Sequence, residues 1–157
     1  MKLSHFPLRA ATGAFILNSG LGKRNLEGEA AGGVHGMATS AIPQIQRLAP
    51  ERFARMLSRA EIALGAALLL PAVPSALAGL GLAGFGAGLT RLYWKSPGMR
   101  ESGSARPTQQ GIGLAKDVWL LGAGLTLLLD DALLRPRVKA KRKAPYRPAR
   151  GKIPFRS

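Results

Sequence analysis

Twenty-nine consecutive residues, Ile62 to Thr90, carry no formal charge and read IALGAALLLPAVPSALAGLGLAGFGAGLT. A surface helix of a water-soluble domain keeps a polar face along its length, and this run has none. Pro71 and Pro74 interrupt it. Each removes a backbone donor and clashes with the preceding turn, so a single continuous helix is excluded. The run predicts a helical hairpin, with arms over residues 51–70 and 75–94. At a rise of about 1.5 Å per residue each arm reaches roughly 30 Å, the thickness of one hydrocarbon core.

Two further stretches flank the hairpin. Residues 3–22 contain PLRAATGAFILNSGL, with Pro7 in the first helical turn and a single charge, Arg9, expected to snorkel to the membrane edge. Asn18 to Gly22 followed by Lys23 and Arg24 reads as a membrane exit and not as a cleavage site, so this helix is expected to be retained. Residues 111–134 contain VWLLGAGLTLLL, framed by Lys116 and Asp117 on one side and by Asp130 and Asp131 on the other. The expected fold class is therefore all-α, an integral membrane four-helix bundle over residues 1–134 with a disordered basic C-terminal tail over 135–157. Asn25 to Pro50 is expected to form a short amphipathic or re-entrant piece, and Lys95 to Gln110 a connection. Small residues four apart (Gly84 and Gly88, Ser75 and Gly79, Ala63 and Ala67, Gly111 and Ala115) point to close helix packing.

Charge and cysteine usage narrow the function classes. Lysine and arginine number 23 against 8 acids, and there is no cysteine, which excludes disulfides, thiolate metal sites and a cysteine nucleophile. Ten of the basic residues fall in 135–157, where no acid accompanies them. Four spans put both termini on one side, and the uncompensated tail assigns that side to the cytoplasm. Arg137, Lys139, Lys141, Arg142 and Lys143 are the expected contacts to anionic headgroups of the lipid bilayer. No nucleic acid is expected as a partner, since Tyr146 and Phe155 are the tail's only aromatics and no recognition motif accompanies them.

Ionisable groups within a membrane run are costly and mark the first place to look for chemistry. Glu61 leads, directly before the uncharged run. Asn18, Ser19, Lys23, Arg59, Arg91, Lys116 and Asp117 fall at the same level of the expected topology, and together with Glu61 they make a candidate polar pocket for an anion or a quinone headgroup. The competing expectation is a structural ion-pair network that locks the helices. No metal site is expected, because His5 and His35 are thirty residues apart without a companion ligand. The glycines of Gly79 to Gly88 follow no strand and so serve packing and not dinucleotide binding.

Three short motifs resemble the DoxX family of small bacterial membrane proteins: Asn18-Ser19-Gly20-Leu21-Gly22-Lys23 at the end of the first helix, Glu61 four residues before Gly65, and the bridge Ala41-Ile42-Pro43. The resemblance covers about Pro7 to Asp131. It implies a multi-pass four-helix bundle in the bacterial plasma membrane, and some members are subunits of thiosulfate:quinone oxidoreductases. The chain departs from the family pattern at Arg106 to Gln110, at Lys116 to Trp119 and in its basic tail. No catalytic motif is present, so the expectation is a membrane subunit associated with redox or quinone-linked metabolism, with quinone as cofactor and another membrane or redox protein as partner. The alternative is a non-enzymatic membrane scaffold or small-solute permease.

Overall fold

The computed structural model describes residues 2–142, with side chains described through residue 131. Every regular element among them is helical: α1 (Phe6–Gly22), α2 (Gly28–Ala41), α3 (Pro50–Leu69), α4 (Ser75–Lys95), α5 (Ile112–Lys116) and α6 (Val118–Arg142), with short 3-10 turns at Leu3–His5 and Pro43–Arg47. Proline sets three of the starts. Pro7 and Pro50 occupy the first turns of α1 and α3, where a missing N–H is no loss, and Pro74 immediately precedes α4. The chain leaves α3 at Leu70 in an extended conformation and re-enters helix at Ser75, so the two prolines make the hairpin turn that their chemistry demands.

Three expected boundaries move. The bridge between the first two long helices is not merely a short piece: Gly28, at φ +53°, turns the chain into a fourteen-residue helix, α2, which packs on α3 and α4. The expected last span, 111–134, is two helices separated at Asp117, and the second does not stop at Leu134. Its backbone continues to Arg142, through the first part of what composition alone marks as a disordered tail. A single proline, Pro136, does not end it, and the basic residues beyond suit the negative end of a helix dipole. Lys143 and the rest of the expected tail lie outside the described residues, as do the side chains of Arg137, Lys139, Lys141 and Arg142.

Two pairs of helices approach at backbone distance. In α1 and α3, a Cβ added at Gly65 would lie 2.6 Å from the Leu17 backbone nitrogen, and one at Gly20 would lie 2.8 Å from that of Ile62. In α4 and α6, Gly86 lies against the Leu121 backbone, and Gly124 against that of Ala83. Only glycine admits such approaches, which increase van der Waals contact along the seam. Gly84 and Gly88 are not part of it; both face open space, whereas Gly79 of the expected pair Ser75 and Gly79 does sit on the seam. Between the two pairs lies a core of Ile16, Leu68, Ala78, Leu82, Leu120 and Leu127.

Much of the outside of the bundle is apolar, although Arg52, Arg55 and Arg59 of α3 are also exposed. Leu3, Phe6, Phe15, Leu77, Leu80, Leu125 and Leu129 are all exposed, while Arg9, Thr12, Ser58 and Glu61 are buried. By length and composition one helical stretch among the described residues, Ile112–Asp131, is apolar enough to cross a membrane.

Candidate functional site

On α1, positions 9, 13, 16, 20 and 23 follow one another by three or four residues and so share one face. Arg9, Gly13, Ile16 and Gly20 of that set are buried, and the face lies against α3. The two glycines bring the backbones together, which places the charged residues at either end of the face, Arg9 and Lys23, against α3 itself.

Arg9 does not snorkel. Its side chain is only 1% exposed and turns into the α3–α4 hairpin. Nε donates to the Leu68 carbonyl at 2.8 Å; one terminal nitrogen donates to the Val73 carbonyl at 2.9 Å and the Ser75 hydroxyl at 3.2 Å; the other donates to the carbonyls of Ala67 and Leu70, each at 2.9 Å. Five guanidinium donors therefore meet five acceptors. Several of these are the carbonyls that the end of α3 leaves without helical partners, and a cation there also complements the helix dipole. The prolines remove the donors that would have continued the helix, and Arg9 from another helix replaces them.

At the other end of the same face Lys23 Nζ donates to Glu61 Oε2 at 2.9 Å and to the Ser19 hydroxyl at 2.6 Å. The Glu61 side chain is 3% exposed and that of Lys23 24%, so the carboxylate is inside the bundle and the ammonium at its edge. Ser58, one turn earlier on α3, donates to the Gly20 carbonyl at 2.8 Å. Of the eight residues expected to share a pocket, the fold thus assembles Ser19, Lys23 and Glu61. Asn18, Arg59 and Lys116 are exposed, Asp117 marks the α5–α6 junction, and exposed Arg91 turns to α2, donating to the Ala41 carbonyl at 3.1 Å. Sequence position gave them one level in the expected topology but could not give their rotation about each helix axis.

Three interactions at the hairpin end were not expected. Lys2 pairs with Asp130 at 2.7 Å, His5 Nε2 bonds the same carboxylate, and Asp131 accepts from the backbone N–H of Ala76 at 3.2 Å. Asp131 is buried and Asp130 partly so. Asp130 ties the chain start to α6, and Asp131 serves the first turn of α4. The readable signal was the one-face spacing on α1, which makes Arg9 part of the packed face.

Among the described residues a cavity opens at each end of the bundle. One, of about 360 Å³, borders the Pro71–Pro74 turn with Lys2, Ser75 and Asp131; the other, of about 220 Å³, lies at the opposite end among α4, α5 and the start of α6. Neither borders Glu61. No family model, curated protein or solved structure matches the chain. Chemically, the Lys23–Glu61 arrangement holds one charge against its opposite with a hydroxyl in support, a geometry that fixes helices.

Proposed function

We propose that the protein is a DoxX-like multi-pass membrane protein whose long helices α1, α3, α4 and α6 cross the bilayer, and that it works as a membrane subunit beside a redox or quinone-linked partner. The supporting observation is the inverted distribution of side chains: Arg9 and Glu61 buried inside, and Leu3, Phe6, Phe15, Leu77, Leu80 and Leu129 exposed outside. In water that arrangement loses on both counts, since exposed apolar area and buried charge are each unfavourable. In lipid it is the expected one, because ionisable groups turn to the bundle interior and pair there. The absence of a catalytic motif is why a subunit role is preferred to an independent enzyme.

A second reading, a non-enzymatic scaffold or small-solute permease, draws on the closure of Lys23 on Glu61, which leaves the carboxylate already partnered. Two experiments test these readings. The chain has no cysteine, so single cysteines placed at Ser4, Ser102 and Ala72 report sidedness by impermeant thiol labelling without a background. Four spans predict that positions 4 and 72 label from the cytoplasmic side and position 102 from the other. Mass spectrometry of the protein purified from its native membrane in mild detergent then separates the roles: a stoichiometric quinone or redox partner supports the subunit, and phospholipid alone sinks it.

A further inference from the structure

At the end of the bundle away from the hairpin, the 220 Å³ cavity is used by neither the ion pair nor the glycine seams. It is smaller than the roughly 300–1,000 Å³ of pockets that engulf a whole small molecule. Its walls include Tyr93, Trp94, Leu114 and Val118. The Tyr93 hydroxyl already donates to the Ala105 carbonyl at 2.7 Å, so the wall's phenol is satisfied within the chain. An apolar segment is what the interior suits.

Three cations neighbour the wall residues, one in space and two along the chain. The Arg100 guanidinium lies 4.5 Å over the ring of Trp94, and it donates to the carbonyls of Trp94 at 3.1 Å and Ser104 at 3.3 Å. Arg106 stands between two wall residues, Ala105 and Pro107, and Lys116 follows a third, Ala115; both cations are exposed. Across residues 95–118 four cations face two acids, Glu101 and Asp117. Arginine forks match phosphate oxygens, and tryptophan and tyrosine collect at the headgroup level of a bilayer.

We propose that this cavity and its rim bind one anionic phospholipid, a segment of acyl chain lying against Trp94 and Leu114 and the headgroup phosphate meeting Arg100, Arg106 and Lys116. The inference rests on the membrane reading above. A zwitterionic lipid offers the same chain without the net negative charge, so the site discriminates between the two.

Trp94 and Trp119 are the chain's two tryptophans, so Trp119→Phe leaves Trp94 as the sole indole and reporter. The full chain carrying W119F is reconstituted in phosphatidylcholine vesicles that contain equal mole fractions of dibrominated phosphatidylglycerol or dibrominated phosphatidylcholine, and Trp94 quenching is compared. Stronger quenching by the phosphatidylglycerol is expected. Each of Arg100→Gln, Arg106→Gln and Lys116→Gln should lower the relative affinity by up to about fivefold. Equal quenching by the two lipids would overturn the site and leave the membrane reading standing; no quenching by either would overturn both. Should the variants fail to reconstitute, high salt applied to the parent protein decides, because screening must erase a preference that charge creates.

Discussion

The α1–α3 pair and the α4–α6 pair are joined by the same device, glycines that let backbones touch, yet they bury different things. Between α1 and α3 lie Arg9, Thr12, Ser58 and Glu61, all at or below 3% exposure. Between α4 and α6 the seam is Gly79, Ala83, Gly86, Gly124 and Leu127, and among the described residues the buried charge at its hairpin end is Asp131, which accepts from the Ala76 N–H. The second pair holds mainly by shape. The first needs shape and complete hydrogen bonding, since a buried charge that loses its partners costs more than a lost contact. The α1–α3 pair therefore concentrates the buried charge of the described bundle, and the α4–α6 pair packs mainly by shape.

The sharpest way to break that contrast is Arg9→Met. It keeps much of the volume and removes five donors, leaving the carbonyls of Ala67, Leu68, Leu70 and Val73 without them. A loss of roughly 4 kcal/mol is expected, enough to abolish the folded protein in detergent thermal-shift measurements. Arg9→Lys should rescue little, because an ammonium has three donors and no planar fork. Rescue by lysine would show that charge alone matters and that the hydrogen-bond geometry does not.

Next in size is the dry seam. Gly86→Val drives a branched side chain into the Leu121 backbone, and about 2–3 kcal/mol of destabilisation should follow. Gly84→Val, two residues away and open to the outside, should change stability by less than about 0.5 kcal/mol. The paired measurement tests which glycines carry the packing. Equal effects at the two positions would mean that the rotation of α4 differs from the one described here.

That pair of glycines also shows where the sequence stops being readable. Absence of charge over Ile62 to Thr90 and two prolines near its middle dictate two helices and their turn, because those are constraints on every residue of the run. Spacing of small residues is weaker information. Five glycines in α4 offer several four-residue pairs, and only the partner helix decides which of them faces inward. Arg9 was hidden for a related reason: one cation near a helix start has the same local pattern whether it reaches out to headgroups or turns in to an abrupt helix end. Glu61 and Lys23 were legible as residues that must find partners, but Asn18, Arg59, Arg91 and Lys116 were grouped with them only by their level in the expected topology, and they are exposed. Helix α2 was obscured by its glycines, which lower local propensity while its packing on α3 and α4 supplies the stability.

A smaller effect is expected at the ion pair, where a double-mutant cycle sharpens the comparison between a locked charge and a working one. Glu61→Gln keeps shape and a hydrogen-bonding group facing Lys23 and Ser19, and Lys23 at 24% exposure can turn outward to water. A cost of about 1–2 kcal/mol is expected for Glu61→Gln alone, and a larger one for Lys23→Met, which leaves a buried carboxylate without its cation. The double variant should cost less than the sum of the two. If the pair is structural, membrane abundance and partner co-purification fall together with stability and return together in the double variant. If Glu61 works, co-purification or activity is lost in Glu61→Gln while the folded protein persists.

The smallest expected effect is at Arg91, exposed and tied to the α2 carboxyl end through one bond to the Ala41 carbonyl at 3.1 Å. Arg91→Gln should move thermal stability by no more than about 1 kcal/mol, since an exposed single hydrogen bond exchanges readily with water. Its interest is local. The bond and the contact between the Ser40 and Ser96 hydroxyls at 2.8 Å hold the end of α2 to α4 and to the residue just after it. Amide hydrogen exchange in α2 should therefore quicken in Arg91→Gln while exchange in α1, α4 and α6 stays unchanged. A slowdown or a global change would place α2 within the cooperative unit that Arg9 and the glycine seams define. Faster exchange confined to α2 would instead make it a separately opening cover on that unit.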